Sequence, residues 1–156
     1  MNNEHAFYDR LRRAKASSRA SDDADTARQQ WLSALDELFL KLGAWLEPGV
    51  REGLLQLSPG RVELTEESFG TYPAPTLTVD LPGHLRVRLE PVGAEVFGGH
   101  TGRVDLISGP NKARLLREAN GQWVLGTPSQ EFGRLVFDLK PLTEESFLEA
   151  LDGLTG

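Results

Sequence analysis

The segment Thr76–Leu81, TLTVDL, followed across Pro82-Gly83 by His84–Val92, HLRVRLEPV, decides the fold. Both halves alternate apolar and polar residues, the period-2 pattern of a half-buried strand. Parity then selects the loop between them. A two-residue loop pairs Leu81 with His84 and sets Leu77, Val79 and Leu81 beside His84, Arg86 and Arg88, which mixes the faces. A three-residue loop pairs Leu81 with Leu85, Val79 with Val87 and Leu77 with Leu89, and places Asp80 opposite Arg86. Opposite charges across a strand pair are favourable, and a slip of one residue would carry every side chain to the other face. The expectation is an antiparallel hairpin with one apolar face.

Downstream, strands are expected at Ala94–Phe97, Arg103–Ser108, Lys112–Ala119, Gln122–Gly126 and Arg134–Leu139, and strand character begins at about Leu54. Asn120-Gly121 suits a type I′ turn, and SGPN at 108–111 offers another tight connection. Such short connections imply an antiparallel meander, because parallel neighbours need long crossovers. In the last strand Leu135, Phe137 and Leu139 alternate with Arg134, Val136, Asp138 and Lys140 and are expected to form a buried face.

Upstream the period changes. Trp31, Leu32, Leu35, Leu38, Phe39, Leu42, Trp45 and Leu46 recur at steps of three and four, one stripe of a helix. Pro48-Gly49 is expected to end it. Ahead lies a weaker pattern, Phe7, Leu11, Ala14 and Ser18. Residues 10–19, RLRRAKASSR, hold five bases and no acid, whereas 21–25, SDDAD, hold three acids and no base. Cations suit a helix C-terminus and anions an N-terminus, with Ser21 as a cap, so the simplest reading is two helices, over about 4–18 and 22–46. One continuous helix stays open, because the heptad phase runs from Leu11 through Leu32, Leu35, Phe39 and Leu42. The fold class is α+β: N-terminal helices, a curved antiparallel meander of about five to seven strands and a short C-terminal helix. Residues 1–20 read as a loosely attached basic helix and 21–156 as one domain.

The hexapeptide LTEESF occurs twice, at Leu64–Phe69 and Leu142–Phe147. In the second copy Thr143 caps a helix whose apolar face is Phe147, Leu148, Leu151 and Leu154. The first is expected to begin a helix as well, stopped after about one turn by Gly70 and the prolines of TYPAPT. The flanks differ, so the repeat is capping chemistry and not a duplicated unit.

Composition excludes several functions. The 156 residues contain no cysteine, which removes disulfides, thiolate nucleophiles and zinc thiolate sites. No signal-peptide core or apolar run of membrane-spanning length occurs, and a cytoplasmic protein without membrane contact is expected. A net charge of −6 argues against nucleic acid as the main partner and mildly for a basic one. No nucleotide fingerprint, nucleophile elbow or metal-ligand spacing appears around His5, His84 and His100, so neither catalytic residues nor a metal or cofactor is expected. Glu66, Glu67, Glu144 and Glu145 read as helix-terminal charges rather than an acid–base pair.

Two stretches remain as candidate sites. The basic run Arg10, Arg12, Arg13, Lys15 and Arg19, flanked by Phe7 and Tyr8, can meet an acidic protein surface or phosphates; its ordinary reading is a solvated helix. The loop FGGHTGR, Phe97–Arg103, can present His100, Thr101 and Arg103 to a ligand; its ordinary reading is a bulged β connection.

The stretches TYPAPTLTVDL, LEPVGAEVFGGHTGRVDLISGPNKARLL and PLTEESFLEALDGL resemble a family of short uncharacterised bacterial proteins, over about residues 30–152. The resemblance implies a bacterial origin and a single fold, and brings no catalytic residue with it. The expected function is that of a non-enzymatic accessory protein that binds another protein or a second copy of itself. The alternatives are an immunity protein neutralising a basic toxin such as a nuclease, and a small-ligand binder or enzyme using the 97–103 loop. Nucleic-acid contact through residues 10–19 is a lesser variant.

Overall fold

The structure, a computed structural model, describes residues 3–95 and 101–156. A single helix, α1, runs over Asn3–Arg51 and is followed by seven strands and a closing helix, α2, over Glu144–Thr155. The strands are β1 (Gln56–Glu66), β2 (Gly70–Leu81), β3 (Leu85–Gly93), β4 (Arg103–Ser108), β5 (Asn111–Arg117), β6 (Trp123–Glu131) and β7 (Arg134–Pro141). They form one antiparallel sheet in sequential order, β1 to β7, so the architecture is α+β.

The hairpin that fixes this order has the register that parity demands. Leu81 pairs with Leu85, Val79 with Val87 and Leu77 with Leu89. Arg86 Nε donates to Asp80 Oδ1 across the outer face at 2.7 Å. The three-residue loop is turned by Gly83 and His84, both at positive φ. The inner face of the sheet, including Val79, Val87, Leu89, Val104, Leu106, Leu115 and Leu125, is fully buried. Against it lie Trp31, Leu35, Leu38, Leu42 and Leu46 of α1 and Phe147, Leu151 and Leu154 of α2.

Where the simplest expectation was two helices, the chain forms one. Residues 3–42 contain neither glycine nor proline. The serines and aspartates between 17 and 25 cost only tenths of a kcal/mol each in a helix interior, too little to break it. Pro48 does not end α1 either; it sits in the last turn, and the helix continues to Arg51. The end is closed by Gly53 at φ +72, with Leu54 N–H donating to Gly49 O and Gly53 N–H to Val50 O. This pair of bonds satisfies the terminal carbonyls beyond the proline.

The two LTEESF copies diverge. Thr143 caps α2 as expected, in a box with Ser146: each side chain accepts from the other's backbone N–H. The first copy starts no helix. Leu64, Thr65 and Glu66 complete β1, and Glu67–Phe69 make a hairpin loop into β2, with Gly70 at φ +70. The pairing of eleven β1 residues with β2 outweighs the local preference for a helical turn. Pro73 and Pro75 lie in the half of β2 that has β1 as its only neighbour, so their missing donors cost no bond to β3.

Three further expectations change. Ala94 and Glu95 follow β3 outside any strand, and the rest of the expected strand Ala94–Phe97 lies outside the described residues. Gly121 alone, at φ +84, has positive φ in the β5–β6 turn; Asn120 does not. Gly121 N–H donates to Glu118 O, which makes a type I turn followed by a left-handed glycine and not type I′. Finally, the β7 face of Leu135, Phe137 and Leu139 is not core. Leu139 pairs with Gly126 and Phe137 with Pro128, on the side of the sheet that carries Arg114, away from the buried inner face. Leu135 and Leu139 are accordingly exposed.

Candidate functional site

Three places carry unusual chemistry: the N-terminal half of α1, the region around the end of β3 and the start of β4, and a groove beside β7.

In α1 every residue from His5 to Arg19 is exposed, and the first core residue is Trp31. Asp22, Asp23 and Asp25 are exposed as well. The helix leaves the body near Arg28, whose guanidinium donates to Phe69 O at 3.1 Å and to Asp25 at 3.2 Å. At 1.5 Å per residue, the part of α1 ahead of it, residues 3–27, is roughly 37 Å long. Here Phe7, Tyr8 and Leu11 are about half exposed. Phe7 and Tyr8 pack edge to face with centroids 5.5 Å apart, and Arg10 lies 5.5 Å from the Phe7 ring. Arg12 and Arg13 both reach Asp9, by its carboxylate and its carbonyl. The expected basic contact residues Arg10, Arg12, Arg13, Lys15 and Arg19 are thus together on one projecting rod.

The loop candidate is divided. His100 lies outside the described residues. Thr101 extends the β4–β5 ladder: its N–H donates to Arg117 O at 2.7 Å, and its hydroxyl lies 3.3 Å from the Arg117 guanidinium. Arg103 turns to Asp105, with bonds of 2.8 and 3.1 Å. Gly102 lies on the Trp31 ring, where a Cβ would meet Cζ3 at 2.2 Å.

Beside this strand junction is a polar chain that the sequence did not reveal. Trp31 Nε1 donates to the Tyr72 hydroxyl at 3.0 Å, and that hydroxyl donates to Glu66 Oε2. The other oxygen of Glu66 accepts the N–H groups of Ala94 and Glu95 at 2.8 and 2.9 Å. Glu95 in return accepts Ser68 N–H at 3.2 Å. Burial first, then the Glu66 carboxylate, raise the Tyr72 phenol well above its usual range, so it stays a donor. The group fastens the β1–β2 turn to the end of β3. Its three members are 41 and 6 residues apart, a separation no local motif signals.

The groove arises because β6 pairs with β5 only over Arg114–Arg117, whereas it pairs with β7 along its whole length. Beyond Gly126 the β6–β7 ribbon therefore diverges, leaving a cleft of about 720 Å³ bordered by α2. Arg114, Lys112, Lys140, Phe137, Leu135 and Glu149 line it. The Arg114 guanidinium lies 3.6 Å from the Phe137 centroid, and its buried Nε has no acceptor among the described residues. Asp105, its cross-strand neighbour, is occupied by Arg103 and by Lys112 at 3.6 Å. Burial, then the Arg103 charge, lower the pKa of Arg114, with Asp105 opposing. At the ribbon's tip Phe132 is fully exposed with φ +51.

Among the described residues no group of three or more His, Asp or Glu side chains is arranged to hold a metal ion, and no helix is long and apolar enough to cross a membrane. No family model, curated protein or solved structure matches the chain.

Proposed function

We propose that this is a non-enzymatic accessory protein that works by binding protein, with the projecting half of α1 as its contact element. One observation carries the reading: a half-exposed aromatic and aliphatic group, Phe7, Tyr8 and Leu11, sits among five bases on a helix continuous with the core. Helices in water owe most of their stability to packing of an apolar face, and among the described residues His5 to Arg19 are all exposed. The cysteine-free composition and the resemblance to bacterial proteins support a bacterial cytoplasmic setting for that role. Capture from a nuclease-treated lysate tests it. A stoichiometric protein should be retained by the tagged chain and lost when Arg10, Arg12 and Arg13 are reversed to glutamate. Retention unaffected by the reversal would move the contact elsewhere, and capture of nucleic acid alone would replace the reading.

The groove favours a second reading, a site for an apolar anion. Arg114 supplies an unsatisfied donor, and Phe137 and Leu135 supply an apolar wall. Titration with anilinonaphthalene sulfonate should then show one saturable site that Arg114→Gln removes. Equal binding by the variant would end this reading.

A further inference from the structure

The five bases and the three acids of α1 occupy consecutive stretches of one exposed rod. Residues 1–19 hold five bases and two acids, net +3, and residues 20–156 hold twelve bases and twenty-one acids, net −9; together they make the −6 of the chain. Because α1 is unbroken to Trp31, the basic half cannot fold back onto its own sheet. Its cover must come from another molecule.

We propose that the cover is a second copy of this chain, with the exposed halves of α1 packed antiparallel about a two-fold axis near Ser18. The proposal rests on the binding role assigned above and names the partner. In an antiparallel pair the run from Arg10 to Arg19 of each copy lies beside Asp22, Asp23 and Asp25 of the other, and the match occurs twice by symmetry. A parallel pair would set bases against bases and acids against acids. The seam is Leu11, Ala14 and Ser18, at heptad spacing. Its small residues allow close approach near the axis. Lys15 and Asp22 are one heptad apart and flank that seam on the same side, so each is directed at the partner's copy of the other. Phe7 and Tyr8, outside the centre, gain cover from the far part of the partner helix. Ser17, Ser18, Asp22 and Asp23 are weak helix formers, and pairing supplies the stabilisation that they lack alone.

Sedimentation of the full chain, at low and high salt, tests the pair. The wild type should run at twice the 17.2 kDa chain mass and dissociate more readily as salt screens the charges. Lys15→Glu should weaken the dimer by about tenfold, the loss expected when the Lys15–Asp22 contact, made twice by symmetry, becomes repulsive. Adding Asp22→Lys to the same chain should restore it. A parallel pair would still face like charges after this double reversal, so restoration identifies the antiparallel arrangement. These positions leave the Arg12–Asp9 and Arg28–Asp25 pairs of the helix intact. All are exposed, and circular dichroism of each variant checks that the fold survives. A wild type that stays monomeric at every concentration overturns the proposal. So does a dimer indifferent to the first reversal, or one that the second reversal does not rescue. A monomer that still captures a foreign protein through residues 7–19 would sink the dimer and leave the accessory role standing. A rescued dimer whose lysate yields nothing else would do the reverse.

Discussion

At the scale of single residues, close approach and hydrogen-bond supply decide what is tolerated. Gly102→Ala would push a methyl carbon into the Trp31 ring, which is itself wedged in the core and 6.2 Å from Trp123. A loss of about 1–3 kcal/mol in urea unfolding is expected from such overpacking. Gly153→Ala in α2 meets open space and should instead stabilise by about 0.5–1 kcal/mol, the ordinary helix preference of alanine over glycine. Tyr72→Phe removes both the acceptor of Trp31 and the donor to Glu66 at once. Leaving such groups unpaired should cost about 1–3 kcal/mol. The same residue gives a pH signature. A phenol whose folded pKa is raised stabilises the fold below its unfolded value, 10.0, and loses that contribution as pH rises through the higher folded value. Alkaline unfolding should therefore be steeper in the wild type than in Tyr72→Phe; parallel curves would show that the phenol is not held as described. None of these contacts could be read from sequence, because Trp31, Glu66 and Tyr72 become neighbours only when β1 and β2 pair beside α1.

At the scale of elements, turns and caps separate what is local from what is not. The Thr143 cap belongs to α2 alone, and Thr143→Ala should lower stability by about 1 kcal/mol in thermal or urea unfolding. The β6–β7 turn presents the opposite case. Phe132 and Gly133 both have positive φ, the arrangement that asparagine-glycine prefers, yet a bulky ring occupies the first position with no contact to repay it. Phe132→Asn should stabilise by about 0.5–1 kcal/mol, part of the usual cost of a left-handed L-residue. A loss instead would mean that the ring is held by something other than this turn. The hairpin register at 77–89 was legible because the inner face tolerates no charge. The β7 face was not: Leu135, Phe137 and Leu139 show the same alternation as a core strand, and only the divergence of the ribbon after Gly126 turns them outward. The first LTEESF was misleading for a related reason. Its helical preference is real over one turn, but a long strand partner overrides it.

For the whole molecule, the division is between a compact body and a rod. Among the described residues every fully buried side chain lies at or after Trp31. Removing residues 1–24 should therefore leave the body folded, with the unfolding midpoint of dilute protein shifted by no more than a few degrees, the equivalent of less than about 1 kcal/mol, and a reduced helical signal in circular dichroism. At higher concentration the full chain should gain stability that the shortened one lacks, because the cover it loses is a second copy. The sequence by itself determined the coarse order of helix, antiparallel meander and closing helix, the central hairpin register, the cap of that helix and the charge division of α1, because each rests on period, parity or near-neighbour chemistry. The tertiary structure decided the rest. It merged two expected helices into one rod, made a hairpin of the first LTEESF, opened the groove around Arg114 and joined Trp31, Tyr72 and Glu66, all outcomes of which distant strands pair and where the pairing stops.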